Sequence, residues 1–455
     1  MRRLLRTLLP LLGAIGALSL AASPALAATG VSPARAFAPG ELLVKFEGQR
    51  RGEAIELPAG AGVRETARAL RQSPSVVYAE PNYIASASAV RAEPFDPDDS
   101  GRLREGAGSS SASGNWAFRQ WNFLAPKATA GIDLPTSPGG IDAVGAWRNL
   151  IDVGRPGAAG IVIAVLDSGI AYRSDGTRFL ISPDFGPEQF IPGYDFVDYD
   201  RLPLDESGHG THVAGTIAEK TDNGFGLTGL AYGAKLMPVR VLDEKGLGDA
   251  VQISQGIRYA VAHGAQVINM SFNFPCGKEV PMVNEALREA YEKGVVTVAS
   301  AGNLGTEKCV SAPATGPRVI GVGGTTEGAC LGSYSLPGAG IDLVAPGGGE
   351  PRARCRSVAA RPIYQVTLRA DSTDTFGIPA KYVGTSMAAA HVSGVAAMVL
   401  ASRRINPLLK GEARVRAVTK RLRSTARDLG LPRAQQGAGL VDADAATGTG
   451  PTFYP

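Results

Sequence analysis

The chain has 455 residues, with 46 Lys and Arg against 42 Asp and Glu, for a net charge of +4. That length exceeds one compact core, and the near-neutral balance argues against a dedicated nucleic-acid binder. Hydrophobic residues at 44% exclude a chain disordered throughout, and 58 glycines without a G-X-Y period exclude collagen and require many tight backbone positions.

Residues 1–27 combine a basic start (Arg2, Arg3, Arg6), an apolar run and the small-residue pattern Ala25-Leu26-Ala27. This is the layout of a secretory signal cut after Ala27. The apolar run of about 13 residues is short of the roughly 20 that span a bilayer. A soluble product, extracellular or periplasmic, with no membrane partner after signal removal is the expectation. Export permits disulfides among Cys276, Cys309, Cys330 and Cys355. Three pairings exist; Cys276–Cys309 with Cys330–Cys355 closes the shorter loops. A four-thiolate zinc site lacks any C-x-x-C pair.

Residues 28–90 hold a small unit: strands over 41–46 and 75–79 with a helix over 63–71 between them. Residues 91–115 are polar and Gly/Ser-rich and read as a flexible linker. Residues 116–447 form one large unit, followed by a short tail over 448–455. Within it, apolar runs at 160–166, 235–242, 266–271, 295–301 and 318–322 suit strands buried on both faces. Helical patterns at 249–263 and 281–293 lie between them, each closed by a glycine (Gly264, Gly294). This order predicts an α/β fold with a parallel central sheet flanked by helices, preceded by a small α+β domain. A basic helix at 408–429 has an apolar stripe of Val415, Val418, Leu422 and Ala426, so its charges read as a solvated face.

Three segments carry chemistry. Asp167-Ser168-Gly169 follows a strand; His209-Gly210-Thr211-His212-Val213-Ala214-Gly215 and Gly384-Thr385-Ser386-Met387-Ala388-Ala389 each open a helix. Taken singly, Asp and Ser there are ordinary caps and a lone His is an ordinary core hydrogen-bonder. Together they sit where an open parallel sheet gathers its ligands: strand carboxyl ends and helix amino ends. The order Asp…His…Ser and Ala388 two residues after Ser386 argue against an α/β-hydrolase elbow. Of four histidines, His212, His263 and His391 have structural readings; the zinc pair His209/His212 lacks an H-E-x-x-H frame.

These segments, over about 121–446, resemble the active-site motifs of the subtilisin-like serine peptidases (subtilases). The resemblance implies a subtilisin-like fold and a secreted serine endopeptidase: Ser386 as nucleophile, His209 as base, Asp167 as its orienter, and Asn303 in Ala299-Ser300-Ala301-Gly302-Asn303 as oxyanion donor. It implies polypeptide substrates held between Gly246-Leu247-Gly248 on one side and Ser271-Phe272-Asn273, with Ala301 and Gly302, on the other. PGELLVKF and SVVYAEPNY resemble the ends of a subtilase propeptide, which implies a zymogen inhibited by its own N-terminal unit. Segment 222–229 resembles the family's calcium loop, implying Ca2+ held by Asp184, Asn223, Phe225 and Leu227. Departures are Asn273 and Phe274 where the family has glycines, and Ala390 where it has proline. A monomer is expected. A catalytically silent binding protein on the same fold is the alternative.

Overall fold

The computed structural model describes residues 37–49, 53–58, 60–83, 95–103, 115–128, 133–303, 309–352 and 360–448. The signal segment 1–27, the cleavage region at 85–93 and the tail beyond 448 lie outside them. Two units divide between Arg91 and Ala92.

In the first unit β1 (Phe37–Phe46) lies between β2 (Glu53–Glu56) and β3 (Val76–Tyr83), antiparallel to both. Leu42 and Val44 of β1, Ala79 of β3, and Val63 and Ala67 of α1 (Val63–Leu70) make a small core. The sequence reading ends the last strand at Ala79. The strand continues through Pro81, opposite Leu42, because β3 is an edge where a missing N–H is tolerated.

The second unit contains, in chain order, α2 (Ala143–Asp152), β4 (Val162–Asp167), β5 (Tyr194–Asp195), α3 (His209–Ala218), β6 (Lys235–Arg240), α4 (Ala250–Ala262), β7 (Val267–Met270), α5 (Pro281–Glu292), β8 (Val296–Ser300), β9 (Ile320–Thr325) and β10 (Leu343–Pro346). The short pair β11 (Thr367–Leu368) and β12 (Phe376–Gly377) follows, then α6 (Thr385–Ala401), α7 (Gly411–Thr425), α8 (Arg433–Gln436) and α9 (Ala443–Thr447). Seven strands form one parallel sheet in the order β10-β9-β8-β7-β4-β6-β5. Its side chains alternate between two helix layers. Ile163 and Val165 of β4 face α2, α3 and α6, whereas Ala164 and Leu166 face α4 and α5. Strand β4 pairs with β6 on one side and β7 on the other, so the winding reverses there and a crevice opens at its carboxyl end.

Local signals explain the helix limits. Asp249 accepts from the Gln252 N–H (2.9 Å) while Gln252 Oε1 accepts from the Asp249 N–H (3.1 Å), a reciprocal cap on α4. Gly264 and Gly294 end α4 and α5 with φ of +86° and +81°. Helix α6 is apolar and small-residued all round and is buried along nearly its whole length.

Three expectations need revision. Part of the supposed linker is packed: Phe95 lies edge-on to Trp147, Asp96 accepts from Trp116 Nε1 (3.2 Å), and Asp98 accepts from the Gly224 N–H (2.7 Å). The charges of α7 are not all solvated. Arg421 is buried and donates to the carbonyls of Ala446 (2.9 Å), Ala445 (2.8 Å) and Gly448 (2.9 Å), satisfying the open end of α9. Finally, Leu343–Pro346, the bridges β5 and β11–β12, and α2 were not expected. Cys276–Cys309 is present with Cα atoms 6.1 Å apart. Cys330 is also disulfide-bonded, and Cys355 lies outside the described residues.

Candidate active site

Asp167 ends β4, fully buried, at the crevice. His209 opens α3, and its Nδ1–H donates to Asp167 Oδ1 at 2.7 Å. The Ser168 N–H donates to the same oxygen (2.8 Å), and Oδ2 is buried without a partner. Burial pulls the His209 pKa down, but the charge and hydrogen bond of Asp167, with Asp205 behind it, outweigh burial and leave it raised. The ring is 28% exposed, on the cleft side.

Asp205, which the motif reading passed over, builds the entry to α3. Its carboxylate accepts from Ser168 Oγ (2.9 Å), the N–H groups of Ser207 (2.9 Å), Gly208 (3.0 Å) and Thr211 (2.9 Å), and Thr211 Oγ1 (2.6 Å). An acidic residue just ahead of a helix was the available signal. Beside it, Glu206 pairs with the buried Arg240 (2.9 Å), which also holds Asp195 (2.8 Å) and Asp198 (2.6 Å). The histidine therefore stands on a doubly anchored loop.

Ser386 is the second residue of α6 and 7% exposed. Its hydroxyl donates to the Ser271 carbonyl (3.1 Å), and Ser271 Oγ donates to the Ser386 carbonyl (2.9 Å). A buried chain continues beneath: Asn269 Nδ2 donates to Ser271 Oγ (2.9 Å), and Ser393 Oγ donates to Asn269 Oδ1 (2.9 Å). It fastens α6 to β7 and explains an asparagine in an apolar strand. Ala390, where the family has proline, keeps an N–H for the α6 ladder.

Asn303 follows β8. Its Oδ1 accepts from the Thr385 N–H (2.8 Å) and Thr385 Oγ1 (2.8 Å), while Thr385 Oγ1 accepts from the Gly302 N–H (3.1 Å). With its oxygen so held, Asn303 presents Nδ2 as a donor. A Cβ on Gly384 would come within 3.0 Å of that nitrogen, so only glycine fits there.

Asp167, His209, Ser386 and Asn303 all line one cleft of about 640 Å³, with Gly246, Leu247, Gly248, Ser271, Phe272, Asn273 and Gly302. Ala301 is buried behind its wall. Leu247 is 67% exposed, but its backbone is committed: its N–H donates to Asp243 Oδ1 and its carbonyl accepts from the Asp243 N–H, each at 2.8 Å. Among the described residues the Gly246 carbonyl and the Gly248 N–H have no partner, nor have the backbone N–H and carbonyl of Asn273. Two edges with free backbone groups thus flank the serine, the geometry that adds an extended peptide.

The remaining histidines do other work. His212 stacks on Tyr382 (3.9 Å) and burial pushes it down to about 3; His391 bonds Asn122 (2.8 Å) and Met387 (2.7 Å) and burial pushes it down to about 4. His263 is exposed and stacks on Tyr259.

The four residues expected around Ca2+ do come together, yet as a closed hydrogen-bonded loop. Asp184 accepts from Asn223 Nδ2 (2.9 Å) and the Leu227 N–H (2.7 Å), and Asn223 Oδ1 accepts from the Phe225 N–H (2.8 Å). The groups that meet Asp184 are N–H donors, and no cluster of three His, Cys, Asp or Glu side chains suited to a metal occurs among the described residues. In this arrangement the Asp184 and Asn223 side chains are engaged in internal hydrogen bonds.

Comparison with known proteins now adds to the geometry. Residues 158–440 match the model of the subtilase family. The chain is 33% identical over 344 residues to a thermophilic serine proteinase of Bacillus sp. strain AK1, covering 76% of this chain and 68% of that one. It is 34% identical over 290 residues to subtilisin Savinase of Lederbergia lenta, covering 64% of this chain and 91% of that one. A protease structure from Pseudoalteromonas arctica superposes with a TM-score of 0.56 at 30% identity, covering 68% of this chain and 94% of that one. The parallel sheet, its crevice and these relatives define the class: the protein is a serine endopeptidase. More narrowly, the chain belongs to the subtilase family.

Proposed function

We propose that residues 116–447 hydrolyse peptide bonds through Asp167, His209 and Ser386 by way of an acyl-enzyme. The observation that carries this is the 2.7 Å Asp167–His209 bond in a cleft that also holds Ser386 and Asn303. Rotation of the Ser386 side chain away from Ser271 turns its hydroxyl toward the His209 ring. As Oγ bonds to the substrate carbonyl carbon, its proton passes to Nε2, and Asp167 steadies the resulting imidazolium. The carbonyl oxygen, now an anion, accepts from Asn303 Nδ2 and from the Ser386 N–H at the amino end of α6. The tetrahedral adduct collapses, the imidazolium protonates the departing amine, and water then repeats the sequence on the ester.

Residues 1–27 act as the export signal and 28–90 as an inhibitory propeptide, so the product is secreted as a zymogen. The α+β unit around β1–β3 supports the second assignment. Fluorophosphonate labelling tests the chemistry: the mature wild type is expected to label and Ser386→Ala to stay unlabelled. An unlabelled wild type would favour the silent binding protein, with Ser386 held permanently on Ser271.

A further inference from the structure

Two walls face each other beside Ser386. One is the segment from Ser271 to Cys276 after β7; the other comprises residues 300–303 at the end of β8 and residues 309–312. Three ties join them. Asn273 Nδ2 donates to the Ser300 carbonyl (2.5 Å), and Ser300 Oγ donates back to Asn273 Oδ1 (3.1 Å), sharing its proton with the Phe272 carbonyl (3.3 Å). The Phe274 N–H donates to the Ala312 carbonyl (2.8 Å). The Cys276–Cys309 disulfide is the third.

Ser300 is fully buried, so its polar atoms depend on these partners. The Asn273 amide is therefore held across the recess, while its backbone N–H and carbonyl have no partner among the described residues. Apart from Asp167 and His209, no charged side chain lines the cleft among the described residues. Given the serine-peptidase reading, the side chain on the acyl side of the scissile bond enters this recess, because its carbonyl must lie between Ser386 and Asn303.

We infer that Asn273 is a specificity-determining residue: strapped to Ser300, it shortens the recess and restricts cleavage to bonds that follow small, uncharged side chains. An aromatic side chain there would have to displace the amide and leave the Ser300 carbonyl unpaired. A charged one would be buried without a counter-ion.

The test is kcat/KM on peptides that differ only at that position, carrying Ala, Phe, Lys or Glu. Wild type is expected to favour Ala over Phe by about 10-fold or more. Asn273→Gly is expected to move that ratio toward Phe by about 10-fold. Ser300→Ala keeps Asn273 and removes one tie; it is expected to move the ratio the same way by less, which guards against misfolding of the glycine variant. Fluorophosphonate labelling of each protein reports Ser386 independently of the recess. Wild type that labels yet cleaves after Phe as readily as after Ala overturns the inference. So does a ratio unmoved in both labelled variants. Wild type that does not label removes the peptidase reading first, and the inference with it.

Discussion

His209 carries the clearest pH consequence in the molecule. In the proposed mechanism its imidazole must be neutral to accept the Ser386 proton, and Asp167 and Asp205 hold its pKa above the ordinary value. A raised pKa keeps the ring protonated to higher pH. The acid limb of kcat/KM against pH is therefore expected to have its midpoint above the ordinary histidine value of about 6.5. A midpoint at or below that value would contradict the Asp167–His209 bond. Thr385 acts through Asn303 and is a positioning residue. Thr385→Val keeps the N–H bond to Asn303 but removes the hydroxyl that both Asn303 and Gly302 use. It is expected to lower kcat by about 10-fold with KM little changed, and an equal rise in KM would instead mean a lost substrate contact. Ser386→Ala is expected to cost about 10⁶ in kcat, a magnitude known for the subtilisin nucleophile and not obtained from this geometry. The placement of Asp167, His209 and Ser386 around one cleft was legible because each sits at an element boundary. Asp205 was not, since its role lies in five hydrogen bonds that no spacing rule displays.

Strands buried on both faces were readable because their apolar runs are continuous, and α4 and α5 because caps and glycines mark both ends. Where those signals fail, the reading failed. Helix α2 is an exception: Asp142 caps it, Ala143, Ala146, Trp147 and Leu150 form its buried stripe and Gly154 follows its end, yet the sequence reading passed it over. Strand β10 ends in Pro346 and is followed by three glycines, and β5 and β11 are two-residue bridges set by tertiary contacts alone. The basic helix α7 shows the limit of charge patterning, because Arg421 and the exposed Lys420 look alike in sequence. Arg421→Ala would strand three carbonyls at the end of α9 and is expected to cost about 2 kcal/mol. Lys420→Ala is expected to stay within about 0.5 kcal/mol. Urea unfolding of both proteins checks this: equal midpoints would mean that the α9 carbonyls find other partners.

The two-unit division sets the prediction for the whole chain. If the N-terminal unit is removed by the enzyme itself, wild type and Ser386→Ala secreted from a protease-free host will differ in their N-termini. Wild type is expected to begin near residues 85–93 and the variant near residue 28, as read by mass spectrometry. Identical N-termini would assign processing to another enzyme. The packing of 95–103 was not legible, because its Asp-rich stretch reads as solvated until its N–H partners across the fold are known. The burial of α6 has one more consequence. Ser386 is fixed to a helix enclosed by sheet and helices and laced to β7 through Ser271, Asn269 and Ser393. Ser386, the proposed nucleophile, therefore has no local hinge on which to loosen. Heat should not produce a folded but sluggish enzyme; turnover and tertiary structure should be lost on one curve, and longevity in use becomes a matter of how slowly the entire body opens.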